Sequence, residues 1–215
     1  MVRSNPGYLV VEGPIGVGKT SLARRLADAF GGRALLERPE ENPFLERFYQ
    51  SRKQHALPTQ LFFLFQRARQ IEELKQTDLF SSGYVADFLI EKDRLFARAN
   101  LEDDELRLYE QVYHQMSMDT PVPDLVIYLQ APVDVLLERV RRRGLAQESL
   151  IDRAYIQTLV DAYTQFFHHY NAAPLLVVNA AEINFVDRAA DFQTLLDYIP
   201  RIRSGRHFFN PLVHA

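Results

Sequence analysis

Gly13-Pro14-Ile15-Gly16-Val17-Gly18-Lys19-Thr20 fits the spacing G-x-x-x-x-G-K-[ST]. Glycines so placed let successive backbone N–H groups curl toward one point, and a helix starting at Lys19 aims its positive end there. Such a turn cradles a polyphosphate. Lys19 has the reach for β- and γ-phosphates, and the Thr20 hydroxyl suits Mg²⁺. Gly13, Gly16, Val17, Gly18, Lys19, Thr20 and Ser21 are therefore the expected contacts of ATP. Two acids bring a second chemistry. Glu37 closes the run Ala34-Leu35-Leu36-Glu37, and Asp87 closes Tyr84-Val85-Ala86-Asp87. If those runs are parallel strands, their carboxyl ends collect ligands. Phosphoryl transfer to a hydroxyl uses one carboxylate to orient or deprotonate it and another to hold Mg²⁺. Glu37 takes the first role and Asp87 the second; the alternative for each is a helix N-cap or a solvated strand-end acid. Glu12, directly before the glycine turn, reads as a supporting residue.

Gln60, Phe63 and Arg67 fall at i, i+3 and i+7, one stripe of a helix. A carboxamide, a ring and a guanidinium together can read and stack a nucleobase. Asp93, six residues past Asp87, could fix that guanidinium by a bidentate pair. A plain polar helix face is the equal alternative. Arg139, Arg141, Arg142 and Arg143 crowd a helix end before Gly144, with Arg139 and Arg143 at i, i+4. Mobile arginines can neutralise the charge on a transferring phosphoryl group. The alternative is a solvated basic helix end favoured by the macrodipole.

These residues need a scaffold that alternates strands with helices. Tyr8–Glu12, Arg33–Glu37, Gly83–Asp87, Leu125–Gln130 and Leu175–Asn179 read as five strands, near-continuously apolar as when helices cover both faces. Helices are predicted from Lys19 to Phe30, stopped by Gly31-Gly32, and from Leu57 to Leu74. Further ones fall over 102–118, 132–143, 152–170 and 187–198. No repeat or flexible linker divides the chain, so residues 1–203 read as one domain with a lid over 139–150, and Ser204–Ala215 as a loose tail.

At 215 residues the chain can bury one α/β core. The net charge of −3 argues against a nucleic-acid partner. The absence of cysteine excludes a disulfide scaffold. No stretch approaches the roughly 20 apolar residues of a membrane span, and the amino terminus lacks a signal-type apolar region, so a cytoplasmic location is the default. The guanine-reading N-K-x-D of switch GTPases is absent, and the D-x-x-G at Asp28–Gly31 sits at a helix end. A metabolite kinase leads.

With these residues in place, the chain resembles the deoxynucleoside kinase family, especially its bacterial purine members, over about Tyr8 to Ile199. The family's catalytic glutamate at the end of the second strand matches Glu37. Its 3′-hydroxyl tyrosine lies eleven positions before a base-reading glutamine, as Tyr49 precedes Gln60. A base-pocket arginine seven residues on matches Arg67, and an acid followed six positions later by a pocket aspartate matches Asp87 and Asp93. The lid arginines match Arg139 and Arg143, the glutamate that partners the tyrosine matches Glu148, and Asn179–Phe185 resembles the loop around the adenine of ATP.

The chain departs from the family at two positions. Phe88 stands where better-known members carry an arginine near the 5′-hydroxyl, with Arg38 or Arg94 as candidate replacements. Leu145 stands where a third lid arginine is frequent. The resemblance implies a three-layer α/β P-loop kinase fold, a five-stranded parallel sheet in the order 2-3-1-4-5, and a homodimer through helices flanking the sheet. It implies ATP-dependent 5′-phosphorylation of deoxyadenosine, deoxyguanosine or deoxycytidine, with Mg²⁺ held by Thr20 and, through water, by Asp87. A thymidylate-type nucleoside monophosphate kinase is the alternative enzyme, and a nucleotide sensor without turnover is the alternative class.

Overall fold

Tyr8-Leu9-Val10-Val11-Glu12 carries one charge, at its last position, and forms β1 (Tyr8–Glu12), buried along its whole length. The computed structural model describes residues 7–76, 83–116, 120–181, 183, 185 and 188–210. β2 (Arg33–Leu35), β3 (Tyr84–Ala86), β4 (Leu125–Gln130), β5 (Leu175–Asn179) and β6 (Arg206–Phe209) complete one sheet in the order β2-β3-β1-β4-β5-β6. Every pair is parallel, with Leu9 opposite Val85 on one side and Leu125 on the other.

The expected order holds and gains a sixth strand. β6 comes from the segment read as a tail: Arg206–Phe209 pairs with Leu175–Val178 of β5, and Phe209 packs into the core. The strand was missed because its four residues follow Gly205 and show no pattern without β5 beside them. Residues 211–215 of that segment lie outside the described residues.

Alternate side chains of the central strands face two different cores. Leu9, Val11, Ile127, Leu129, Leu176 and Val178 meet Leu22 and Leu26 of α1 (Lys19–Phe30), Leu136 of α6 (Val133–Arg143) and Leu195 of α8 (Ala189–Tyr198). On the other face, Val10, Val126, Tyr128 and Val177 meet Leu95 of α4 (Lys92–Asn100) and Tyr163 and Phe167 of α7 (Arg153–His169). This is the three-layer arrangement that near-continuous apolar strands require. β2 is the exception: as an edge strand it is largely exposed.

Three more helices flank the acceptor side: α2 (Leu45–Gln50), α3 (Arg52–Gln76) and α5 (Asp103–Gln115). α3 starts five residues before the predicted Leu57 and runs through Pro58. Neither α2 nor α4 is predicted from sequence. α4 reads as a charged stretch, Lys-Asp-Arg-Leu-Phe-Ala-Arg, although Lys92, Asp93, Leu95 and Ala97 are all buried. No helix among the described residues is long and apolar enough to cross a membrane.

Candidate active site

The loops leaving β1 and β3 depart in opposite directions along the sheet, which opens a crevice at the carboxyl ends of the strands. The loop after β1 is the glycine turn. Gly13 has φ +149°, and a Cβ there would lie 2.5 Å from the Leu129 carbonyl oxygen. At Gly16, with φ +83°, it would lie 2.7 Å from that of Leu136. The turn is thus pressed onto β4 and α6 at distances a side chain does not allow. Lys19 Nζ donates to the carbonyls of Gly13 at 2.8 Å and Pro14 at 3.2 Å. Burial lowers the pKa of Lys19, and nearby Lys92 lowers it further, against the pull of Glu12, Glu37 and Asp87.

A cavity of about 520 Å³ opens over this turn, lined by Gly16 to Ser21 and by Arg139, Arg142, Arg143, Phe185 and Arg188. Arg139 and Arg143 thus share a wall with the glycine turn. Arg139 donates to the Ala180 carbonyl at 2.8 Å. The guanidinium of Arg25 binds the Phe185 carbonyl and stacks 4.0 Å over the Phe192 ring. Asn179 does not line the cavity; its Oδ1 accepts the Ala181 N–H at 3.1 Å. Of the expected adenine loop, residues 182 and 184 lie outside the described residues.

Glu37 and Asp87 stand just past the ends of β2 and β3, not within them. Asp87 joins the two halves of the crevice. Its Oδ2 accepts the Thr20 hydroxyl, and its Oδ1 accepts the Glu37 N–H at 2.7 Å. Burial raises its pKa and Glu37 raises it further, opposed by the hydrogen bonds from Thr20 and Glu37. A hydroxyl and a carboxylate in contact are hard oxygen donors of the kind Mg²⁺ takes, and the pair therefore fits that ion. Among the described residues no group of three or more His, Cys, Asp or Glu could hold a metal, so phosphate oxygens and water would complete the shell.

Glu37 faces three cations. Burial alone would raise its pKa, yet Arg67, Lys92 and Lys19 together hold its carboxyl well below the usual carboxylate range. Arg67 Nε donates to Glu37 Oε1 at 2.9 Å, and its Nη1 pairs with Asp93. Asp93 is fully buried, and its Oδ2 has no partner among the described residues. The Arg67 guanidinium sits 5.2 Å from the Phe63 ring. Gln60, on the same helix α3, is also buried. Through Arg67, the stripe expected on α3 therefore meets the strand-end acid Glu37.

Tyr49 of α2 and Glu148 lie close enough to interact electrostatically. Burial pushes the Tyr49 hydroxyl up, with Tyr155 and Glu148 adding to it. Glu148, on a short 3-10 turn (Ala146–Leu150), is paired by Arg143, whose Nε lies 2.9 Å from Oε2. Phe88 is fully buried in the core. Neither proposed replacement for its missing charge is at the acid: Arg38 pairs with Glu41 at 3.2 Å, and Arg94 with Glu110 at 3.0 Å. The group that does reach Glu37 is Lys92, which sequence reasoning did not single out. Glu12 has the supporting role expected of it, accepting the Gly13 and Leu89 N–H groups and the Tyr163 hydroxyl.

A family model described as "Deoxynucleoside kinase" matches residues 9–202. A deoxyguanosine kinase of Bacillus subtilis is 31% identical over 200 residues, 91% of this chain and 97% of that protein. A deoxyadenosine kinase of Lactobacillus acidophilus is 30% identical over 83% of this chain and 87% of its own length. Among solved structures, deoxyadenosine kinase from M. mycoides superposes with a TM-score of 0.79 at 23% identity, covering 91% of this chain and all of that one.

Proposed function

The chain belongs to the deoxynucleoside kinase family, and on that premise we propose that it moves the γ-phosphate of ATP to the 5′-hydroxyl of a purine deoxyribonucleoside, with deoxycytidine a possible third substrate. The observation that carries this reading is the chain of contacts from Thr20 through Asp87 to Glu37. It sets a strand-end acid beside a glycine turn built for a triphosphate. In this reading the backbone of Gly13 to Ser21, with Lys19, binds the β- and γ-phosphates, and Arg139 and Arg143 cover the group in flight. Phe185, on the cavity wall, borders the adenine of ATP. Mg²⁺ would be held by Thr20 and Asp87, and when bound it neutralises phosphate charge.

Glu37 takes the 5′-hydroxyl proton or orients that hydroxyl for in-line attack on the γ-phosphorus. Its depressed pKa keeps it ionised and able to accept a hydrogen bond from that hydroxyl. Tyr49 and Glu148 seat the 3′-hydroxyl, which leaves little room for a 2′-hydroxyl. Phe63 stacks the base, and Gln60 and the Arg67–Asp93 pair read its edge. The Gln60 carboxamide, which can donate and accept, and the Asp93 Oδ2, unpartnered among the described residues, favour a base that offers both donors and acceptors, such as an aminopurine. The names of the bacterial relatives point the same way.

Pairing of two chains through the helices that flank the sheet, where Phe65 of α3 and Leu108 of α5 are each about half exposed, is part of the same reading. The test is ATP-dependent turnover with deoxyadenosine, deoxyguanosine, deoxycytidine and thymidine. Phosphorylation of the purines is expected to dominate. Thymidine turned over as fast as the other three would overturn the pocket assignment.

A further inference from the structure

Lys92 begins α4 with its side chain 4% exposed. A buried ammonium is costly unless it is paired, so its partners define its role. Nζ lies 2.9 Å from Glu37 Oε1 and 3.3 Å from Glu12 Oε1. The two acids do not need it equally. Glu12 already accepts hydrogen bonds from the Leu89 N–H at 2.8 Å, the Gly13 N–H at 2.9 Å and the Tyr163 hydroxyl at 2.9 Å. The Glu37 carboxylate has side-chain contacts only with Arg67 and Lys92 among the described residues, and all of them converge on Oε1.

Oε2 has no partner among the described residues, on a side chain that keeps 19% of its surface open. Arg67 is shared with Asp93 and shares a helix stripe with Gln60, so a bound base competes for it. Among the described residues Lys92 is ion-paired with no acid besides Glu37 and Glu12; its Nζ also lies 5.6 Å from the Phe96 ring.

We propose that Lys92 is a positioning residue for phosphoryl transfer: it ties down Glu37 Oε1 and so presents Oε2 to the acceptor hydroxyl. This rests on the kinase reading above. One oxygen of the carboxylate is held by an ammonium reaching from α4, and the other is left to meet the alcohol. A carboxylate held by one contact fewer swings, and a displacement of about 1 Å at a reacting group costs on the order of 10²-fold in rate.

The experiment is steady-state kinetics with ATP and the best deoxynucleoside of the panel. Lys92→Met is expected to lower kcat by about 30- to 100-fold while both KM values move by less than about threefold. Lys92→Arg, which keeps the charge, is expected to recover most of the loss. Because Lys92 acts through Glu37, adding Lys92→Met to Glu37→Gln is expected to cost less than about threefold more.

Full additivity with Glu37→Gln, a kcat within about threefold of the unmodified enzyme, or Arg performing no better than Met overturns the proposal. Adding Glu12→Gln to Lys92→Met neutralises the second buried acid and guards against a variant that does not fold. A kcat restored by that addition marks Lys92 as a structural partner of Glu12 and also overturns the proposal. Unmodified protein with no acceptor-dependent ADP release fails the kinase reading itself. An active enzyme indifferent to Lys92 fails this inference alone.

Discussion

At the proposed donor end of the crevice, the glycine turn and the first residues of α1 are contiguous in the chain, and the groups proposed to hold the phosphates are mostly backbone N–H donors. At the proposed acceptor end, Glu37, Gln60, Arg67, Lys92 and Glu148 come from four separate places, with Gln60 and Arg67 sharing α3, and every group proposed to act is a side chain. The donor end is shaped by what is absent, since Gly13 and Gly16 press on the carbonyls of Leu129 and Leu136. The acceptor end is shaped by charge, with Arg67 and Lys92 clamped between Glu12, Glu37 and Asp93. A backbone cradle binds one group that all its ligands share. A lattice of paired side chains can be retuned for one base or another, one residue at a time.

If this contrast is right, the two ends fail separately when mutated. Glu37→Gln keeps the shape but removes the proton acceptor, and kcat is expected to fall by about 10²- to 10⁴-fold. ATP affinity, read by calorimetry, is expected to stay unchanged; loss of ATP binding would erase the distinction between the ends. Gly16→Ala strikes the donor end. A Cβ at φ +83° and 2.7 Å from a backbone carbonyl is expected to destabilise the fold by about 1–3 kcal/mol and to weaken ATP binding. Thermal unfolding with and without ATP measures both effects, and unaltered stability would show that the turn relaxes.

Gln60→Ala is gentler. Loss of one or two neutral hydrogen bonds to the base is expected to raise KM for the deoxynucleoside by about 2- to 12-fold, at unchanged KM for ATP. A matching rise for ATP would mean that the ends are coupled through α3. Arg94→Gln is expected to do least. The Arg94–Glu110 pair is partly exposed and lies away from Glu37, so kcat is expected to stay within about twofold and stability within about 1 kcal/mol. A large loss of kcat would restore Arg94 as the replacement for the charge missing at Phe88.

Legibility from sequence follows the same division. The glycine turn, α1, and the runs that became β1, β4 and β5 are local patterns, and their predicted bounds match the observed ones. The Gln60, Phe63 and Arg67 stripe was legible as a stripe, since a helix brings i, i+3 and i+7 onto one face whatever surrounds it. Its meeting with Glu37 was only half legible, because the Arg67–Asp93 pair could be guessed from types and the Arg67–Glu37 contact could not.

α4 escaped because its buried face is largely charged; lysine and aspartate at Lys92 and Asp93 read as solvent-facing until Glu12, Glu37 and Arg67 surround them. β6 escaped because a four-residue strand needs a neighbour to define it. Arg38 and Arg94 looked like replacements for a missing charge through proximity in sequence, yet each is bound to a nearer acid.

Short-range rules were enough for β1, β4, β5, α1 and the glycine turn, and for the kinds of residue placed at strand ends and on the α3 stripe. They act through backbone geometry and periodicity, which a linear chain records. Which cation stands beside Glu37 was set by folding alone. The energy of a buried charge depends on every partner within a few ångströms, and those partners come from residues 12, 37, 67 and 92, brought together only when the sheet and α4 pack.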